Sequence, residues 1–100
     1  MMRRSVVRGT GHYLPERVVE NSYFESMLDT TDEWIRSRTG IERRHFAAEG
    51  EFTSDLAIAA ARQALERAGM VAEDLNAIVV ATSTPDLTFP ATATIVQAGL

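Results

Sequence analysis

Apolar positions change their period several times along the chain, and the changes mark out its elements. Ser5 to Gly9 (SVVRG) is a short β-rich run that ends on Gly9 and Gly11, after which Leu14-Pro15 turns the chain, so a first strand is expected there. Tyr23, Phe24, Met27 and Leu28 then recur at helical spacing. Asn21 or Ser22 can cap that helix, Ser22 with Glu25 fits the capping-box spacing, and the helix is expected to pack by its aromatic side. Thr30 and Glu33 repeat the spacing, which predicts a second helix from about Thr31 to a stop at Gly40. Ile41 to Phe46 (IERRHF) has apolar ends and a charged middle, the pattern of a short exposed strand or an extended connector, and AAEGE is a loop.

The second half has longer elements. Ser54 or Thr53 opens the helix SDLAIAAARQALERAGM, closed by Gly69. Its alanines allow close approach, and the apolar residues Leu56 to Ala61 nearly circle its first turns, which suits a helix buried between layers. Asn76 to Thr82 (NAIVVAT) is apolar without alternation, as in a strand covered on both faces of a parallel sheet. The loop STPDLTF follows, at the strand end where ligands collect in open α/β sheets. Pro90 is expected to start a last helix, ATATIVQAGL, at or near its first position. Strand, helix, strand in this order implies a right-handed crossover and an α/β fold with a mostly parallel sheet. Two such strands cannot cover both faces with what remains, so the chain is expected to be a piece of a larger α/β protein, folding poorly and associating when alone.

Composition narrows the function classes. With 45% hydrophobic and 24% charged residues the chain is of ordinary globular make-up, at most one small domain. The longest apolar run, Leu56 to Ala61, falls far short of the roughly 20 residues of a membrane span, and MMRRSVVRGTG lacks the apolar core of a secretory signal. A cytoplasmic protein is the expectation, without membrane partners. There is no cysteine, hence no disulfide or thiolate chemistry within these residues, and His12 and His45 are too few and scattered for a metal site. Gly9 and Gly11 would need a third glycine at position 14 to make a dinucleotide fingerprint; Leu14 stands there, so a plain turn is expected.

The net charge of −4 is uneven. Residues 1 to 46 hold eight of the ten arginines, with no lysine anywhere, and Arg36, Arg38, Arg43 and Arg44 are clustered with only Glu42 among them. Arginine offers a flat fork that matches phosphate and stacks on rings. The only tryptophan, Trp34, stands four residues before Arg38, so on the predicted helix the two share a face. The plain alternative is an exposed Trp shielded by Arg38, a cation–π contact worth about 0.5–1 kcal/mol. A ring, an arginine one turn away and more arginines downstream also make a stacking platform beside phosphate partners, the shape a nucleotide needs, with Arg43 or Arg44 meeting a phosphate.

Three separated motifs carry a resemblance across essentially the whole chain: GTGHYLPE (Gly9 to Glu16), DEWIRSRTGIERRHFA (Asp32 to Ala47) and IVVATSTPDLTFPATA (Ile78 to Ala93). Together they resemble the N-terminal part of the β-ketoacyl-acyl-carrier-protein synthase III family. The resemblance implies a thiolase-like enzyme, a layered α/β fold with a mostly parallel central sheet, of which residues 1–100 are the N-terminal part of the first half-domain. It implies an acyltransferase that begins fatty acid synthesis by condensing acetyl-CoA with malonyl-acyl carrier protein, releasing CoA and CO2. Partners would be those two substrates and a second copy of the chain; no metal or prosthetic group is implied. Trp34 and Arg38 match the residues that sandwich the adenine of CoA, Thr30 the threonine near it, and Phe89 the phenylalanine that reaches across the dimer to close the partner's acyl pocket. For Phe89, ordinary packing ahead of a helix is the simpler reading of the sequence. The family's cysteine nucleophile, histidine and asparagine all fall beyond Leu100, so no catalytic residue is expected in this chain, and His12 and His45 are expected to be structural. Two alternatives stand beside this reading. One keeps the fold with another acyl-CoA primer or a role in secondary metabolism. The other is an anion- or nucleic-acid-binding module built on Arg36 to Arg44, disfavoured by the net acidic charge and single platform.

Overall fold

The computed structural model describes residues 2–100, whose contacts gather in two units: Leu14–Gly50, and the N-terminal segment through Tyr13 together with Glu51–Leu100. In the first, strands β1 (Arg17–Glu20) and β2 (Arg43–Phe46) pair antiparallel, from Arg17 opposite Phe46 to Glu20 opposite Arg43. Side chains alternate across a strand, so Arg17, Val19, Arg44 and Phe46 share one face. That face is the inner one, with Val19 only 4% exposed. The sequence pattern anticipates β2 but not β1, whose RVVE is bracketed by charges.

Helix α1 (Ser22–Glu25) is one turn, shorter than the spacing through Leu28 predicts. Its expected capping box does not form. Asn21 makes no side-chain cap, the Ser26 hydroxyl bonds back to the Tyr23 carbonyl at 2.9 Å, and the Glu25 carboxylate accepts from the backbone N–H of Asp32 at 2.7 Å. The aromatic packing does form: Tyr23, Phe24 and Phe46 meet edge to face with centroids 5.3–6.2 Å apart, while Met27 and Leu28 stay exposed.

Helix α2 (Asp32–Thr39) begins one residue later than the Thr30–Glu33 pairing implies. Thr31, in extended conformation, is the cap, and its hydroxyl accepts from the Trp34 N–H at 3.1 Å. Gly40 ends the helix as expected, at φ 72°, a left-handed geometry that strains any residue with a Cβ.

In the second unit α3 (Thr53–Ala68) ends at Gly69, φ 66°, as the sequence predicts, but its N-terminus is held differently. Phe52 occupies the cap position, with its N–H bonded to the Asp55 carboxylate at 2.8 Å. Thr53 and Ser54 lie inside the helix and bind the loop instead. The Thr53 hydroxyl donates to the Thr84 carbonyl, and Ser54 donates to Asp86 through its N–H at 2.8 Å and through its hydroxyl. A carboxylate from a distant loop thus meets the positive end of the helix.

The two expected strands are the main departure from the sequence reading. Segments 5–9 and 76–82 carry no strand ladder; among the described residues the sheet is the two-stranded β1–β2 pair, and the expected parallel crossover is absent. A strand exists by pairing, and these segments lack a partner: Val6, Val7 and Val79 are 74%, 81% and 92% exposed. The N-terminal segment packs on α3 instead. A Cβ on Gly9 would lie 2.6 Å from the Ala64 carbonyl oxygen, and one on Gly11 would lie 2.6 Å from the Ala64 nitrogen and closer still to the Ala60 carbonyl. Ala60, Ala64 and Ala68, spaced by four, make the flat stripe that receives these glycines. GTG is therefore a close-approach device rather than a plain turn. Helix α4 (Thr92–Gly99) is capped by Ala91, so Pro90 precedes the cap instead of opening the helix. α4 packs on α3 through nearly inaccessible Val96, an Ile58–Gly99 contact, and a 2.8 Å bond from Arg62 Nη2 to the Gly99 carbonyl. No described helix is long and apolar enough to cross a membrane.

Because backbone, rather than a movable side chain, blocks the space at Gly11, Gly11→Ala is expected to destabilise the protein by about 1–3 kcal/mol. Urea unfolding checks this, with Gly50→Ala as the comparison: no atom lies within 4 Å of a Cβ there, so its cost comes from its φ of 78° alone.

Candidate functional site

Trp34 and Arg38 lie on α2, where helical geometry stacks positions four apart. The structure brings them together, with the Arg38 Cζ 5.6 Å from the centroid of the indole and Trp34 55% exposed. A purine held between ring and guanidinium needs two stacking distances, about 7 Å in all. In the observed geometry the guanidinium therefore lies on the ring itself. A shift of roughly 1–2 Å along its flexible stem admits a flat ligand.

Beside the indole, still within residues Leu14–Gly50, is an open pocket of about 530 Å³ whose walls include Phe24, Leu28, Thr30, Trp34 and Arg44. Thr30 is half-buried, and its hydroxyl oxygen makes no hydrogen bond. The structure thus places Thr30 and Trp34 on one concavity, with Arg38 over the exposed ring.

The other arginines separate by strand parity. Arg36 reaches Asp32 at 3.6 Å and Glu42 at 3.1 Å, and Arg43 reaches Glu42 at 3.7 Å. These pairs are solvent-exposed and each worth little. Arg44 turns inward, its Cζ 4.6 Å over the Phe24 ring and its Nη2 3.2 Å from Asn21 Oδ1, while Nε is buried and unpaired. As a phosphate ligand Arg44 is poorly placed, being engaged on two sides. Strand alternation puts Arg44 on the face of Phe46 rather than that of Arg43, and pairing opposite buried Val19 makes that face the inner one.

Asn21 is the site residue that the sequence reading valued only as a possible cap. It is 1% exposed, and its Nδ2 donates to Asp32 Oδ1 at 2.9 Å and to the Ile41 carbonyl at 2.7 Å. No periodicity rule flags a buried amide, because its worth lies in what surrounds it.

Phe89 belongs to the second unit and is 85% exposed, so within this chain it is not packed into a core. His45 bonds through Nδ1 to the Pro15 carbonyl at 2.6 Å, which requires the proton on that nitrogen, and His12 is held through its backbone N–H to Gln63 at 2.9 Å. Among the described residues no three His, Asp or Glu side chains gather as metal ligands would.

No family model matches the chain. Curated relatives do match. β-Ketoacyl-[acyl-carrier-protein] synthase III of Paracoccus denitrificans is 73% identical over 99% of this chain, and that of Rhodobacter capsulatus is 75% identical over all of it. The chain spans only 31% of the length of either relative. Among solved structures, 3-oxoacyl-[acyl-carrier-protein] synthase III of Aquifex aeolicus superposes with a TM-score of 0.82 at 48% identity, over 90% of this chain and 29% of that one. The priming β-ketosynthase of the R1128 polyketide pathway gives 0.83 at 36% identity, over 92% and 28%. The unpaired segments 5–9 and 76–82 thus sit in a chain that corresponds to the N-terminal part of a larger layered fold. Along their whole length these residues are similar to the N-terminal part of β-ketoacyl-acyl-carrier-protein synthase III, and they have the N-terminal portion of its thiolase-like fold.

Proposed function

We propose that this chain is the N-terminal part of the first half-domain of an acyltransferase that starts type II fatty acid synthesis, condensing acetyl-CoA with malonyl-acyl carrier protein and releasing CoA and CO2. The observation that carries the reading is the 73–75% identity to synthase III relatives along the whole chain. The site supports it: an exposed indole with a guanidinium on its face, beside a pocket that includes Thr30, suits the adenine end of CoA. In this reading Trp34 and Arg38 grip the base, and Thr30 lies beside it. The chain has no cysteine, so the nucleophile that takes the acetyl group, with its histidine and asparagine helpers, belongs to the part of the enzyme beyond Leu100. The enzyme works in the cytoplasm without a metal or prosthetic group. It is a homodimer in which exposed Phe89 reaches the partner's acyl pocket. A nucleic-acid module is disfavoured, because Arg36 and Arg43 are paired with Asp32 and Glu42, and Arg44 is turned inward.

A second reading keeps the fold and changes the primer, favoured by the likeness to a polyketide priming ketosynthase.

In the enzyme containing this segment, Trp34→Ala or Arg38→Ala should weaken acetyl-CoA binding by about 1–3 kcal/mol if stacking holds the base, roughly five- to 150-fold in KM. An unchanged KM in both removes the assignment. A panel of acyl-CoA primers should show acetyl-CoA turned over best, with Phe89→Ala shifting the preference toward longer chains; a wild-type preference for a longer or branched primer establishes the second reading instead.

A further inference from the structure

The geometry points to Asn21 as the positioning residue for the Trp34 platform. Resting on the proposed CoA reading, we infer that one buried amide sets the pose of α2 and thereby the affinity for the adenine end of the coenzyme. Asp32 is the first residue of α2, and Ile41 follows the Gly40 that ends it. Both offer an oxygen to the same Asn21 Nδ2, at 2.9 and 2.7 Å, so the two hydrogens of one NH2 group hold the two ends of the helix. The remaining acceptor, Oδ1, takes Arg44 Nη2 at 3.2 Å, and Arg44 in turn lies on Phe24. The backbone of Asn21 joins in as well, its N–H meeting the Glu42 carbonyl at 3.3 Å and its carbonyl accepting from Phe24 at 3.0 Å. Asn21 thereby links β1, α1, α2 and β2.

The chemistry admits few substitutes. The position needs two donors and one acceptor in a plane, inside a space that leaves Asn21 1% exposed. Aspartate supplies no donor and sets a second carboxylate against Asp32. Leucine fills the volume but leaves Asp32, the Ile41 carbonyl and Arg44 without their bonds. Trp34 is in the first turn of α2, its own N–H bound to Thr31, so a change in the tilt of this helix moves the indole with it. Small displacements matter because stacking falls away steeply with separation.

The test is a double-mutant cycle in the full-length enzyme, with CoA as the probe and isothermal titration calorimetry as the readout. Asn21→Ala is expected to weaken CoA binding about tenfold in the wild-type background and less than twofold when Trp34→Ala is already present, since a lost platform cannot be mispositioned. In turnover the loss should appear in KM for acetyl-CoA and not in kcat. Equal weakening with and without Trp34, or a loss confined to kcat, overturns the inference and leaves a merely structural amide. If Trp34→Ala weakens CoA and Asn21→Ala does not, the inference fails alone. If Trp34→Ala binds CoA like the wild type, the coenzyme reading fails and takes the inference with it. Should Asn21→Ala not fold, Asp32→Ala, which removes one bond of the clamp while leaving the amide in place, enters the same cycle with the same expected coupling.

Discussion

A buried polar group must find its partners inside the protein, and residues Leu14–Gly50 are arranged around that demand. The side chain of Asn21 is almost inaccessible, and its full set of hydrogen bonds can be met only if β2 pairs with β1, α2 starts at Asp32 and the chain returns after Gly40. Hydrophobic burial in this unit is modest: Pro15, Val19 and Ile35 are its buried apolar residues among those described. Burial this thin tolerates many packings, whereas a planar amide with three directed bonds tolerates few. Specificity of arrangement comes from the polar centre, and the aromatic cluster of Tyr23, Phe24 and Phe46 supplies the apolar contact around it.

In the other unit the constraint is steric. Gly9 and Gly11 meet the alanine stripe of α3 so closely that no side chain fits between them. Close approach of this kind gains dispersion contacts along a long helix face without requiring a pairing partner for the segment's backbone. That backbone is left with hydrogen-bonding capacity unused by any ladder, as is segment 76–82 with its outward Val79. Edges of this sort are completed in folded proteins by further strands. Curated relatives about three times as long as the chain have residues to supply them.

What the sequence made legible follows from where each signal resides. The Gly40 and Gly69 stops were readable because a left-handed cap is a property of one residue. The Trp34–Arg38 contact was readable because helical spacing alone puts four-apart side chains together. Three things were not. Capping-box spacing at Ser22–Glu25 and Thr30–Glu33 matched the motif, yet Glu25 was taken by Asp32 and the cap fell to Thr31, since tertiary competition decides which short side chain bonds which N–H. Apolar runs at 5–9 and 76–82 read as strands, but pairing is a property of two segments, and neither run pairs with another among the described residues. The inward turn of Arg44 needed the register of β1 against β2, and β1 carried no clear pattern of its own.

The arginine cluster shows why composition misleads where geometry does not. Four arginines within nine positions look like one electropositive patch, yet they divide among three duties. Arg36 and Arg43 close surface ion pairs on Glu42, Arg44 supports an interior amide and a phenyl ring, and only Arg38 lies on the indole. A ligand approaching this surface meets one aromatic face with one flexible cation, and a pocket whose walls include Thr30 and Leu28. A polyanion gains little from such a surface, because its binding grows with the number of cations free to neutralise phosphates. A single flat base gains most of what the surface offers, because stacking needs one ring and one partner held at a fixed pose. The rigidity that fixes the pose originates in the uncharged Asn21, beneath the helix that bears them.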